Sequence, residues 1–189
     1  MISTLDSIST TLGGIMLPDS SVSKPTTGTV LAAGPGRAHP HSGRLLPPPV
    51  PAGCNVLHSV FSGKTVKYDG RDCKLVRDDD VILTFEGPLP KLGSVRVIKD
   101  YMLFRPDAEK AATKSGIAVA AAVSADLAPC TGTLVLSGPG RVASSGLPTA
   151  PQVREGERAK WKDYAGQDVS IEGVDYVAVR MVDVLSVLG

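Results

Sequence analysis

The feature that most constrains this chain is an internal repeat. Thr27-Gly-Thr-Val-Leu-Ala-Ala-Gly-Pro-Gly-Arg37 returns as Thr131-Gly-Thr-Leu-Val-Leu-Ser-Gly-Pro-Gly-Arg141, with seven of eleven residues identical. Downstream, at a constant offset of 103, Gly53 meets Gly156, Phe61 meets Tyr164, Gly63 meets Gly166 and Val66 meets Val169. Gly70 then meets Gly173, Arg77 meets Arg180 and Asp80 meets Asp183. Turn glycines and apolar positions coincide without a gap, as a duplicated supersecondary unit requires. A chain of 189 residues has room for both copies as small domains. Gly87-Pro88-Leu89-Pro90 is the clearest break, which gives domains 1–90 and 91–189.

Aromatics are only 4% of the chain, so each core has to be built from Val, Leu, Ile and Ala. Short Val-rich runs divided by 20 Gly and 15 Pro predict an all-β chain. Expected strands cover Thr29 to Ala33, Asn55 to Phe61, Thr65 to Tyr68, Cys73 to Val76 and Val81 to Phe85, with Asp69-Gly70 as a hairpin turn. Copy two opens with an extended stretch, Ser94 to Arg105. Residues 1–12 do not read as its counterpart, so the first strand of copy one is expected to be missing or degenerate.

Several chemistries are excluded on composition and spacing. Net charge is +1, which leaves no broad footprint for nucleic acid or an anionic membrane. The longest apolar run, Ile117 to Val123, is far short of the roughly 18 residues of a membrane span. Three cysteines, Cys54, Cys73 and Cys130, form no CxxC and point to a reducing compartment. Gly63-Lys64-Thr65 ends like a phosphate loop, but the glycine that motif needs five residues earlier is His58. Gly34-Pro-Gly36 and Gly138-Pro-Gly140 lack a third glycine and read as strand terminators. His39-Pro-His41 has no Cys or carboxylate cluster near it in sequence, and Asp78-Asp79-Asp80 keeps only its last acid in copy two; both read as solvated loops. Trp161 and Tyr164 among Arg158, Lys160 and Lys162 fit alternating strand faces better than a stacking platform, because copy one offers only His58 and Phe61 there. There is no GxSxG, and no nucleophile is spaced with a base.

What remains is a short apolar triplet in each copy. Ile15-Met16-Leu17 follows Gly13-Gly14 in a stretch, Gly13 to Pro25, with no period of 2 or 3.6. Ile117-Ala118-Val119 follows Gly116, after Asp107 to Ser115, whose composition is helix-like but whose place in the repeat favours a loop. The glycines are the hinges of two mobile loops in this reading. Alternation places the first and third side chains on one face of an extended segment, which suits a binding hook. Folding back onto the domain's own core is the plain alternative; its repetition in two copies favours the hook.

These residues resemble the GroES (chaperonin-10) family. Gly14-Ile15-Met16-Leu17 and Gly116-Ile117-Ala118-Val119 match the family's mobile-loop hook. Gly28-Thr29-Val30 with Gly34-Pro35-Gly36-Arg37, and their partners at 132–141, match the strand and turn that follow. Val50-Pro-Ala-Gly53 and Val153-Arg-Glu-Gly156 match the next block, with Cys54 and Glu157 replacing its usual Asp. The resemblance implies two tandem, irregular, partly open β-barrels with long mobile loops, as in the double-domain co-chaperonins of the chloroplast stroma. It implies a non-catalytic role, not an enzyme: a lid that caps an ATP-bound chaperonin-60 ring and assists folding in the closed chamber. The chain would have no cofactor of its own, ATP and Mg being held by the partner. A sevenfold ring would need an odd number of domains, so a mixed lid with single-domain chaperonin-10 type partners is expected. The competing readings are a fragment of a zinc alcohol dehydrogenase type enzyme, which shares this barrel type, and an oligonucleotide-binding β-barrel.

Overall fold

The computed structural model describes residues 2–4, 27–107 and 130–188. The chain divides into two compact units, Met1–Lys99 with Ala143–Leu147 and Asp100–Val142 with Pro148–Gly189. Each is an antiparallel sheet with a separate two-stranded hairpin, and the described residues add only short 3-10 turns.

In unit 1 the strands are β1 (Ile2–Thr4), β2 (Thr27–Val30), β3 (Arg37–Ala38), β4 (Leu45–Leu46), β5 (Asn55–His58), β6 (Lys64–Tyr68), β7 (Arg71–Leu75), β8 (Val81–Phe85) and β9 (Arg96–Val97). The sheet runs β6-β7-β1-β2-β5-β8-β9, and β3 pairs β4 apart from it. In unit 2 they are β10 (Tyr101–Pro106), β11 (Thr131–Ser137), β12 (Arg141–Val142), β13 (Pro148–Thr149), β14 (Arg158–Trp161), β15 (Gln167–Ile171), β16 (Val174–Arg180) and β17 (Val184–Leu188). This sheet runs β15-β16-β10-β11-β14-β17, and β12 pairs β13. Strand for strand the two orders are the same, apart from the extra β9. The expected turn forms in both copies. Asp69-Gly70 and Glu172-Gly173 each have positive φ at both positions, the geometry whose twist suits a two-residue hairpin.

Two expectations need correction. The first strand of copy one is present: β1 pairs Ile2 with Val30 on one side and with Lys74 on the other. In unit 2, Phe104 pairs with Leu134 and Val177 in the matching register. Three residues are too few for a period of 2 to show in sequence, so β1 was not legible there. Second, Ser94 to Arg105 is not one strand of copy two. β9 pairs with β8 in the sheet of unit 1, through Leu83 with Val97 and Thr84 with Arg96. The chain then turns at Lys99, which holds φ 53, and β10 enters the other sheet. Lys99 is fixed there by Asp78 Oδ2 and Asp79 Oδ1, each 2.6 Å from its Nζ.

The cores differ more than the topologies. Unit 2 packs Met102, Phe104, Leu134, Val153, Ala159, Trp161 and Val179 together, with the Phe104 and Trp161 rings 5.0 Å apart. Unit 1 packs Val30, Val50, Val56, Val81 and Ile98. At the position of Trp161 it carries His58, which is fully buried. His58 Nδ1 donates to the Ser59 carbonyl at 2.9 Å, and Nε2 has no hydrogen-bond partner among the described residues. Burial pushes the His58 pKa below its usual value, with Lys74 acting the same way and Ser59 and Asp80 opposing. The unfolded chain therefore takes up a proton here before the folded one does, so stability is retained above about pH 6.5 and lost as pH falls below it. We predict that calorimetry between pH 7.5 and 5.5 lowers the unit 1 transition relative to that of unit 2. The slope from this one proton cannot exceed about 1.4 kcal/mol per pH unit. His58→Phe should remove that difference.

Candidate functional site

The sequence-predicted hooks, Ile15, Met16, Leu17 and Ile117, Ala118, Val119, and the hinge glycines Gly13, Gly14 and Gly116 lie outside the described residues. What the structure gives is the base from which each segment springs. β1 and β2 pair at their near ends through Thr4 and Gly28, and β10 and β11 through Pro106 and Gly132. Both ends of each intervening segment, 5–26 and 108–129, are thus held by one antiparallel ladder at the same register.

The base of the second segment carries an ion pair. In unit 2 the Asp107 amide donates to the Thr131 carbonyl at 3.0 Å, carrying the ladder one step past β10. Arg158, on the neighbouring β14, donates from Nη2 to Asp107 Oδ2 at 2.7 Å. That contact raises the Arg158 pKa, first by the hydrogen bond and then by the charge of Asp107. Gly132 is required by the approach of β10. A Cβ placed there would lie 2.3 Å from the Arg105 carbonyl oxygen, a backbone atom that cannot step aside. In unit 1 the counterpart of Arg158 is Asn55. Its Oδ1 accepts from Thr29 Oγ1 at 2.7 Å and its Nδ2 donates to the Gly87 carbonyl at 2.8 Å. These neutral bonds tie β5 to β2 and to the turn after β8. Sequence reading missed the Asp107–Arg158 pair, because only the sheet order brings residues 51 positions apart into contact.

The other motifs resolve as structure. The rings of His39 and His41 are 5.9 Å apart, and His39 is buried with Nδ1 3.0 Å from Ser42 Oγ. Asp78 and Asp79 face Lys99 and also Arg37, whose Nη2 is 3.2 Å from Asp79 Oδ1. Among the described residues no group of three or more His, Cys, Asp or Glu could hold a metal ion. Trp161 is buried while Tyr164 is exposed, and Lys162 pairs with Asp183 at 2.9 Å, as alternating faces and a turn demand. No helix among the described residues is long and apolar enough to cross a membrane.

A small antiparallel domain, present twice, with a long segment inserted at one point of its central ladder, is the architecture of a scaffold that presents loops. The family model described as chaperonin 10 Kd subunit matches residues 1–85 and again 94–188. The chain is 31% identical over 179 residues to the 20 kDa chloroplastic chaperonin of Spinacia oleracea, covering 94% of this chain and 68% of that protein. The corresponding Arabidopsis thaliana protein is 27% identical over the same shares. The co-chaperonin GroES of Lawsonia intracellularis is 38% identical over 87 residues, 46% of this chain and 85% of its own. The chain belongs to the chaperonin 10 kDa subunit family and is a co-chaperonin of two such domains in tandem.

The base of the second segment generates a prediction. Gly132→Ala forces β10 from β11 and should destabilise unit 2 by about 1–3 kcal/mol, the usual cost of overpacking. Trp161 is the only tryptophan, so its fluorescence in a denaturant titration reports unit 2 alone. An unchanged midpoint would show that the approach of β10 is not limiting.

Proposed function

We propose that this chain closes an ATP-bound chaperonin-60 ring, with Ile15-Met16-Leu17 and Ile117-Ala118-Val119 as the contacts. The observation that carries this reading is the shared base. Two apolar triplets, each preceded by glycine, lie in segments inserted at the same register of two copies of one sheet. Apolar grooves at the rim of the ring are the fitting counterpart. The role is non-catalytic: ATP and Mg belong to the ring, and this chain contributes binding and closure. The chloroplastic names of the two tandem relatives support a place in the chloroplast stroma.

Magnitudes explain why such contacts work in numbers. Burying an apolar side chain is worth about 1.5–3 kcal/mol, while fixing a residue of backbone costs about 1–2 kcal/mol. A triplet that orders a long segment on docking therefore has little net affinity alone. Several on one lid act together through their effective concentration. Weak single contacts also let the lid leave when the ring changes state.

A sevenfold ring is matched by an odd number of domains, so single-domain co-chaperonins would join this two-domain chain in a mixed lid.

Hook two is smaller, since Ala118 and Val119 stand where hook one has Met16 and Leu17. Co-sedimentation with chaperonin-60 and ATP should therefore fall further for Ile15→Ser with Leu17→Ser than for Ile117→Ser with Val119→Ser. Equal losses would remove the difference between the hooks. Retention of full binding by both double variants would remove the proposed contacts.

A further inference from the structure

We infer that Lys99 is a clamped joint: Asp78 and Asp79 hold its ammonium and so restrain the one residue through which the chain passes from unit 1 to unit 2. The clamp is made of contacts within unit 1 and does not depend on the docking of the hooks.

The joint is short because both of its neighbours are tied down. The Ile98 amide donates to the Ile82 carbonyl at 2.9 Å, inside unit 1. The Asp100 carbonyl accepts from the Met181 amide at 2.8 Å, inside unit 2. Lys99 lies between these two anchors, after β9 and before β10, so its two backbone dihedrals carry the change of direction. Its φ is 53. That left-handed region crowds a β-carbon against the following carbonyl, and a residue other than glycine stays in it where its surroundings hold it.

What holds Lys99 is its side chain. Nζ lies 2.6 Å from Asp78 Oδ2 and 2.6 Å from Asp79 Oδ1, two short, charge-assisted bonds. The Lys99 side chain is 22% exposed, so water and salt screen these bonds less than they screen an open surface pair. Arg37 adds a second cation, with Nη2 3.2 Å from Asp79 Oδ1 and Nε 3.9 Å from Asp78 Oδ2. The turn that carries the acids does not need them. Its counterpart in unit 2, Met181-Val182-Asp183, makes the same 3-10 turn with the last acid alone. Nor does Arg37 call for them, since its counterpart Arg141 is kept without that pair. The acids that set unit 1 apart are the two that reach Lys99.

A clamp at Lys99 limits how freely the two units swing about the joint. Its consequence for the lid rests on the docking proposed above: with one hook seated, a stiff joint raises the effective concentration of the other at the ring.

Proteolysis of the full chain, without any ring, tests the clamp. A protease that cuts on the amino side of aspartate opens the bond between Lys99 and Asp100, and fragments 1–99 and 100–189 are followed by intact mass. Each rate is taken relative to cutting of a matched peptide of residues 95–104. The rate is expected to rise roughly tenfold in Asp78→Asn with Asp79→Asn and in Lys99→Asn, as the population with an open joint grows. Asparagine takes the left-handed region more readily than most residues, so Lys99→Asn keeps the turn and removes the ammonium. Cutting at Asp72, within β7, monitors the fold of unit 1 and should keep the rate of the unmodified chain in Lys99→Asn. An unchanged rate at the 99–100 bond in either variant would overturn the proposal. A rise in Lys99→Asn that Asp72 shares would overturn it too, since unit 1 would then be unfolding rather than releasing its joint.

Discussion

The ladder on either side of the central strand is the constraint on which each unit depends. β1 and β10 are the strands that tie the outer hairpin, β6-β7 or β15-β16, to the strand after the long segment. One pairing therefore closes the sheet and brings both ends of the inserted segment to a single point. Where the strand is long, as in unit 2, it also supplies the core. Met102, Leu103 and Phe104 are buried almost completely, and Phe104 packs against Trp161. In unit 1, Ile2–Thr4 close the sheet by pairing with β2 and β7.

Duplication freed the two copies to differ while holding the same register. Arg158 pairs with Asp107 at the base of the second segment, where unit 1 has Asn55 bonded to Thr29 and the Gly87 carbonyl. An exposed ion pair is screened by salt. A buried histidine stands in one core where the other has a tryptophan. These exchanges leave the strand order intact because each is local to one side chain and its immediate partners.

Much of the fold was legible in the sequence because repetition turns weak local signals into strong ones. Asp69-Gly70 alone is a hairpin signal; with Gly173 at the matching offset it fixes the same turn twice. The all-β class and the tandem arrangement follow from such pairs, and the family match agrees with both. What stayed hidden has physical reasons. β1 has too few residues to show an alternation. Ser94 to Arg105 is continuous in its apolar pattern, yet a single residue, Lys99, turns the chain from one sheet into the other. The contacts at the bases join residues far apart in sequence, and only topology brings Asp107 to Arg158. The hooks are read from the glycine that precedes each apolar triplet and from its repetition in both copies, features of sequence that need no coordinates.

The account's central claim is that both inserted segments bind the ring in its ATP state. Hydrogen exchange of the amides in 5–26 and 108–129 measures this directly, with the chain alone, with chaperonin-60, and with chaperonin-60 and ATP. The account predicts slowed exchange around Ile15–Leu17 and Ile117–Val119 only when ring and ATP are both present. Exchange in both segments that is indifferent to the ring, under conditions where the chain co-sediments with it, would contradict the account and place the contact elsewhere on the two domains.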